Sequence, residues 1–204
     1  MRTPELPPRL ESKRFVLRDF TETDRASFVK YRMDSRYRAL HGQDSSKKTR
    51  LSTNALFDRF LAWQHDAPRR NYLIGIFDKS TGALVGCTGL RGDGLPIDTA
   101  VFSVELAPDH WPHYRIAVEA SMMLVSYGFR VLDLAAIVGD TASSHKRITK
   151  LARWFGAEIT AEHTDAYWMA PPDANTPLPA FDQNIHTINT PATNPPCKDL
   201  CQEA

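Results

Sequence analysis

The sequence predicts a single α/β (α+β) domain, a mixed sheet with helices on its faces, and three observations predict it. Apolar residues alternate with period two in several short runs. They recur at helical spacing in four others, and the two patterns interleave as β-α-α-β-β-β-α-β-α-β. The third observation is an ordinary globular composition: of 204 residues, 42% are hydrophobic and 24% charged, enough to build one core without disulfide staples.

Arg14-Phe15-Val16-Leu17-Arg18 reads as the first strand, and Thr21-Glu22-Thr23-Asp24 as a helix start with an acidic first turn leading into Phe28 and Tyr31. The polar stretch His41 to Lys48 reads as a loop. Leu56, Phe60 and Trp63, joined by Phe57 and Leu61, place an amphipathic helix over 53–64. Residues 72–77 and 83–90 flank Asp78-Lys79-Ser80-Thr81-Gly82 as a β-hairpin, with Gly82 where a positive φ is wanted. In the strand 100–106, Phe102, Val104 and Leu106 share one face and Ser103 and Glu105 the other, so Glu105 emerges near the strand's C-terminal end. Ile116, Ala120, Met123, Leu124 and Tyr127 form a helix stripe ending at Gly128. A strand over 134–138, a helix marked by Ile148, Leu151, Ala152 and Phe155, and a strand over 158–162 follow.

The composition changes near residue 170. Seven of the fourteen prolines lie in the last 34 residues, so 9–169 reads as the domain and 170–204 as a Pro-rich disordered tail. Asn184-Ile185-His186-Thr187-Ile188-Asn189 alone in that tail has the β-branched content of a short edge strand.

Bulk charge excludes some partners. A formal net charge of +1 and a pI near 7.8 create no field that favours nucleic acid or a membrane surface. No apolar run approaches the roughly 18–20 residues of a membrane span, and Met1-Arg2-Thr3-Pro4-Glu5-Leu6-Pro7-Pro8 lacks a signal-peptide core, which predicts a cytoplasmic protein. Cys87 sits in an apolar segment and reads as core. Cys197 and Cys201 show no metal-ligand spacing, and no metal is expected.

The candidate chemistry lies where the strand ending in Glu105-Leu106 passes through a Pro-containing loop into the helix that begins near His113. Free N–H groups in the first turn of that helix make an anion site. His113 and Arg115 lie there with no acidic residue before Glu119, which suits a pyrophosphate. An ordinary strand-to-helix crossover would carry the same residues.

Several runs now line up with a known family: Arg14-Phe15-Val16-Leu17-Arg18-Asp19-Phe20, Gly82-Ala83-Leu84-Val85-Gly86-Cys87-Thr88-Gly89-Leu90-Arg91, Val104-Glu105-Leu106-Ala107-Pro108-Asp109-His110-Trp111, Val118-Glu119-Ala120 with Tyr127-Gly128-Phe129, and Leu151-Ala152-Arg153-Trp154-Phe155-Gly156-Ala157. In order and spacing, over about 9–165, they resemble the GNAT superfamily of N-acetyltransferases, most closely its ribosomal-protein-N-acetyltransferase (RimJ/RimL-type) branch. The resemblance implies a mostly antiparallel mixed sheet flanked by helices and direct transfer of an acetyl group from acetyl-CoA to a primary amine. That amine belongs to a small molecule or a protein N-terminus. Homodimers are common in the family, and the sequence leaves that state open.

The coenzyme loop departs from the family. Where Trp-Gly-x-Gly-Tyr-Ala-Thr-Glu is expected, the chain has Trp111-Pro112-His113-Tyr114-Arg115-Ile116-Ala117-Val118-Glu119, one residue longer and without glycine. Two readings stay open. Pro112, His113, Tyr114, Arg115, Ile116 and Ala117 still cradle acetyl-CoA, with Arg115 compensating for the lost glycines; or the site has decayed and the domain is a GNAT-like binding or assembly module. His145 stands at the family's Asn position and Ile148 at its Ser position.

By the same resemblance Glu105 is the expected base and the Leu106 N–H the donor to the thioester carbonyl. Ala152 stands where some members carry an acid tyrosine, leaving Tyr114 or His145 as substitutes. Asp34, Arg36 and Tyr37 fall on the substrate side. Lys146, Arg147, Lys150 and Arg153 form a basic helix face, and Trp63, Trp154 and Phe155 sit at core spacing. Because the text after Met169 is Pro-rich, the family's seventh strand is expected to be missing or reduced, unless 184–189 supplies it.

Overall fold

A computed structural model describes residues 9–40, 46–140, 158–159 and 166–169. Eight strands form one sheet: β1 (Arg9–Glu11), β2 (Phe15–Asp19), β3 (Asn71–Asp78), β4 (Leu84–Arg91), β5 (Thr99–Leu106), β6 (Ala136–Asp140), β7 (Glu158–Ile159) and β8 (Ala166–Met169). Their order is β1-β2-β3-β4-β5-β6-β8-β7. Every neighbouring pair is antiparallel except β5 and β6, which run parallel. The parallel pair needs a crossover, and α4 (Arg115–Arg130) provides it.

Helices α1 (Arg25–Arg32), α2 (Ser35–Leu40) and α3 (Ser46–Trp63) connect β2 to β3. A 3-10 turn, Glu22–Asp24, opens α1: the Asp24 carboxylate accepts from the Thr21 N–H at 2.8 Å and the Thr21 hydroxyl at 2.9 Å. The expected hairpin is present, with Gly82 at φ +70° and Asp78 accepting from the Ser80 and Thr81 N–H groups.

The core has two parts. Leu17, Ile74, Ile76, Leu90 and Leu106 pack with Ile116, Ala120 and Leu124 of α4. Phe20, Leu73, Phe77 and Cys87 pack with Phe28, Tyr31, Tyr37, Phe57 and Phe60 of α1, α2 and α3. Cys87 is buried, as its apolar segment predicts.

The last strand, expected to be missing or reduced, is present as a short one. Ala166-Tyr167-Trp168-Met169 forms β8 between β6 and β7, pairing Val138 with Trp168 and Glu158 with Trp168 from its two sides. Four residues are too short for a periodic signal, and the prolines begin only after them. The helix expected over 53–64 starts at Ser46 instead, and part of the expected loop is helix. Its first turns lack apolar periodicity, and Leu51 there is 66% exposed. Short β1 and α2 carry no sequence signal strong enough to be read. The helix expected around Ile148 to Phe155, His145, and the tail with 184–189 lie outside the described residues.

Candidate active site

Among the described residues, β5 is paired on one side only at its C-terminal end. Its ladder with β4 runs to Gly86↔Leu106, whereas among the described residues the parallel register with β6 stops at Phe102↔Gly139. The Ala107 N–H donates to the Val85 carbonyl at 2.9 Å, so alternation turns the Leu106 N–H and carbonyl away from β4, toward the gap that the described residues leave beside β6. The Trp111 indole N–H donates to that Leu106 carbonyl at 2.8 Å.

Gly86 makes this end possible. A Cβ there would lie 2.3 Å from the Glu105 carbonyl oxygen and 3.0 Å from the Leu106 Cα, and backbone cannot move aside cheaply.

The Leu106 side chain is fully buried against α4, whereas Glu105 points to the opposite face, as the alternation predicts. That face is not open. Glu105 is 6% exposed, and its Oε1 accepts from the Tyr31 hydroxyl at 2.5 Å, Arg32 Nη1 at 3.2 Å and Cys87 Sγ at 3.4 Å. Oε2 accepts from the Tyr37 hydroxyl at 2.9 Å. The Arg32 guanidinium also lies 5.0 Å from the Tyr37 ring centre and 5.3 Å from that of Phe28. Burial pushes the Tyr31 hydroxyl well above its usual pKa, and Cys87 and Glu105 add to the shift, so it remains a proton donor.

The loop into α4 differs from the expected cradle in detail. Pro112 and His113 are exposed, Tyr114, Arg115 and Ala117 are half-buried, and Ile116 is a core residue. Two of the expected amides are already engaged: the His113 N–H donates to the His110 carbonyl and the Ile116 N–H to the His113 carbonyl, both at 2.9 Å. Ile116 therefore anchors the loop through its side chain and does not offer its amide. Tyr114 is the N-cap residue, and the first turn of α4 holds no acidic side chain. Glu119, one turn on, is held by Arg14. The first turn of α4 thus puts no negative charge of its own at the helix's positive end.

Of the residues assigned to the substrate side, Tyr37 joins Glu105. Arg36 bridges Asp34 at 2.8 Å and Asp109 at 2.6 Å, tying the start of α2 to the turn after β5. Sequence reasoning missed Tyr31, Arg32 and Gly86. Tyr31 and Arg32 are more than seventy positions from Glu105, and the only local sign is the aromatic density between Phe28 and Tyr37. Among the described residues no three His, Cys, Asp or Glu side chains gather as a metal site would.

Comparison with known proteins supplies the family. Residues 14–158 match the family described as acetyltransferase (GNAT) domain. No curated protein matches the sequence. Among solved structures, a Vibrio cholerae protein assigned as a ribosomal-protein-serine acetyltransferase is 17% identical with a TM-score of 0.57, the match covering 83% of this chain and 100% of that one. An acetyltransferase from Agrobacterium tumefaciens is 19% identical with a TM-score of 0.61, covering 80% and 95%. FdhC, a nucleotide-linked sugar GNAT, is 15% identical with a TM-score of 0.61, covering 82% and 91%. At these identities the likeness is one of fold.

Proposed function

This chain belongs to the GNAT acetyltransferase family, and from that premise we propose that it is an acetyl-CoA-dependent N-acetyltransferase of the RimJ/RimL-type branch, acting on a primary amine of a small molecule or a protein N-terminus. Acetyl transfer follows from the family; the branch, the amine and the cytoplasm as its compartment are the proposal. The observation that carries it is the end of β5, which among the described residues is paired with β4 alone, so that the Leu106 N–H faces away from β4 at the strand end that leads into the N-terminus of α4.

Acetyl-CoA would supply an activated acetyl thioester: the amine nitrogen bonds to its carbonyl carbon, the C–S bond breaks, and the proton lost by the amine goes to water or to the leaving thiolate, giving an amide and coenzyme A. The chain's own part is to bind and to orient. The N–H groups of Tyr114, Arg115 and Ala117, with the Arg115 guanidinium, suit the pyrophosphate, while Pro112 bends the loop and has no N–H to give. His145 is the remaining coenzyme contact that the family resemblance implies. The Leu106 N–H suits the charge that develops on the thioester oxygen, a donor role commonly worth about 3 kcal/mol. Trp111 occupies the carbonyl of the same residue and keeps that acceptor from competing for the site.

A second reading, a GNAT-like binding or assembly module with weak or no coenzyme binding, is favoured by a specific observation: the loop has no glycine, and the His113 and Ile116 amides are spent within it. Calorimetric titration of acetyl-CoA separates the two. Micromolar binding, about −8 kcal/mol, supports the transferase and justifies a screen of amines and of peptides with free N-termini. No heat up to millimolar acetyl-CoA overturns it in favour of the module.

A further inference from the structure

Resting on the acetyl-transfer reading, we infer that Glu105 is a positioning residue: its buried carboxylate fixes the peptide between Glu105 and Leu106, so that the Leu106 N–H stays aimed into the gap beside β6. A trans peptide is planar, so the Glu105 carbonyl and the Leu106 N–H point in opposite directions. The carbonyl points at β4, as its nearness to the Gly86 position shows. Whatever holds Glu105 therefore sets the direction of the donor one residue later.

A strand end with a ladder on one side only can twist about its axis, and here it is held from two further directions. Trp111 grips the Leu106 carbonyl from the gap side. From the α1 and α2 side, Tyr31, Arg32 and Tyr37 converge on the Glu105 side chain. Arg36 and Asp109 join α2 to the turn after β5 in a second, exposed contact.

The same contacts argue against Glu105 as the base. Its Oε1 receives Tyr31, Arg32 and Cys87, its Oε2 receives Tyr37, and the residue is 6% exposed, so an incoming amine meets a carboxylate that is shielded from solvent and already hydrogen-bonded on both oxygens. Such an arrangement stores direction in a buried polar network.

The test uses the full chain and acetyl-CoA labelled with carbon-13 at the carbonyl. In the wild type, the infrared C=O stretch moves to lower frequency on binding, because the Leu106 N–H polarises it. In Glu105→Gln the shift falls by at least about half while the acetyl-CoA Kd stays within about threefold, a change of well under 1 kcal/mol. Tyr37→Phe, which keeps the carboxylate and loses one donor, gives a smaller loss and serves if Glu105→Gln does not fold. An unchanged shift in the folded variants overturns the proposal, as does wild-type binding with no shift at all.

If the wild type binds no acetyl-CoA, it is the transferase reading that fails, and iodoacetamide then tests the fastening itself. Cys87 lies 3.4 Å from Glu105 and is 5% exposed. Peptide mapping separates it from Cys197 and Cys201. Alkylation at least about tenfold faster in Glu105→Gln or Tyr37→Phe, or about 1.4 kcal/mol of easier opening, supports the fastening; an unchanged rate overturns it.

Discussion

Under α4 the sheet buries Leu17, Ile74, Ile76, Leu90 and Leu124; on its other face, under α1 to α3, it buries Phe20, Phe28, Phe57 and Phe60 together with Arg32 and Glu105. The aliphatic face is held by non-directional burial and close packing, which fix a volume. The aromatic face adds hydrogen bonds to a buried charge, which fix directions. β5 serves both, sending Leu106 to one and Glu105 to the other. The difference teaches that the α4 side supplies most of the apolar filling, while the α1 to α3 side sets the geometry of the strand end.

Four substitutions would break or sharpen this contrast. The largest effect belongs to Arg32→Leu. Removing one partner of a buried ion pair commonly costs about 3–5 kcal/mol, and here it takes the Arg32 guanidinium away from the buried Glu105 carboxylate. Urea denaturation should show that loss, and the infrared carbonyl shift of bound acetyl-CoA should fall by at least about half while its Kd stays within about threefold. Leu124→Ala, on the aliphatic face, should cost about 2–5 kcal/mol through the cavity it leaves. The infrared shift of acetyl-CoA bound to the folded variant should stay at the wild-type value; an equal loss of shift in both variants would erase the contrast between the faces.

Asp24→Asn should cost about 1–2 kcal/mol, since Arg18 and Thr21 both lose a charged acceptor. Burial alone would raise the Asp24 carboxyl, but Arg18 and Thr21 outweigh it and hold its pKa below 3.8. The charged carboxylate therefore stabilises the fold above about pH 4, and the contribution is lost as pH falls through the lowered value. Acid unfolding curves of Asp24→Asn should be flatter there than those of the wild type.

The smallest effect is a gain. The Tyr127 hydroxyl is buried on the aliphatic face without a hydrogen-bond partner among the described residues, so Tyr127→Phe should be neutral or stabilise by up to about 1 kcal/mol. Burial, with Tyr72, pushes its pKa from 10.0 to about 12. Between pH 10 and about 12 the hydroxyl ionises in the unfolded chain before it does in the folded one, which lowers stability as pH rises, and Tyr127→Phe should remove that part of the alkaline loss in thermal melts.

The two faces also differ in how readable they are. Ile116, Ala120, Leu124 and Tyr127 follow a helical period, and Phe102, Val104 and Leu106 follow a strand period, so the aliphatic face is legible from local spacing. Glu105 and Leu106 at the end of β5 and the turn at Gly82 were legible for the same reason. Tyr31, Arg32 and Tyr37 were legible as helix residues, but not as partners of a carboxylate more than sixty positions away. The four-residue β8 was lost because so short a run has no period to detect.

By itself the sequence determined the mixed fold, the order of its main elements, the family, and the strand end that carries Glu105 and Leu106, because these depend on local period and on runs of adjacent residues. Only the tertiary structure decided that Glu105 is buried and engaged, that Ile116 and His113 spend their amides inside the loop, and that β8 enters beside β6. Each of these depends on which distant groups meet across the sheet, and hydrogen-bond capacity is consumed by whichever partner arrives in space, at any separation along the chain.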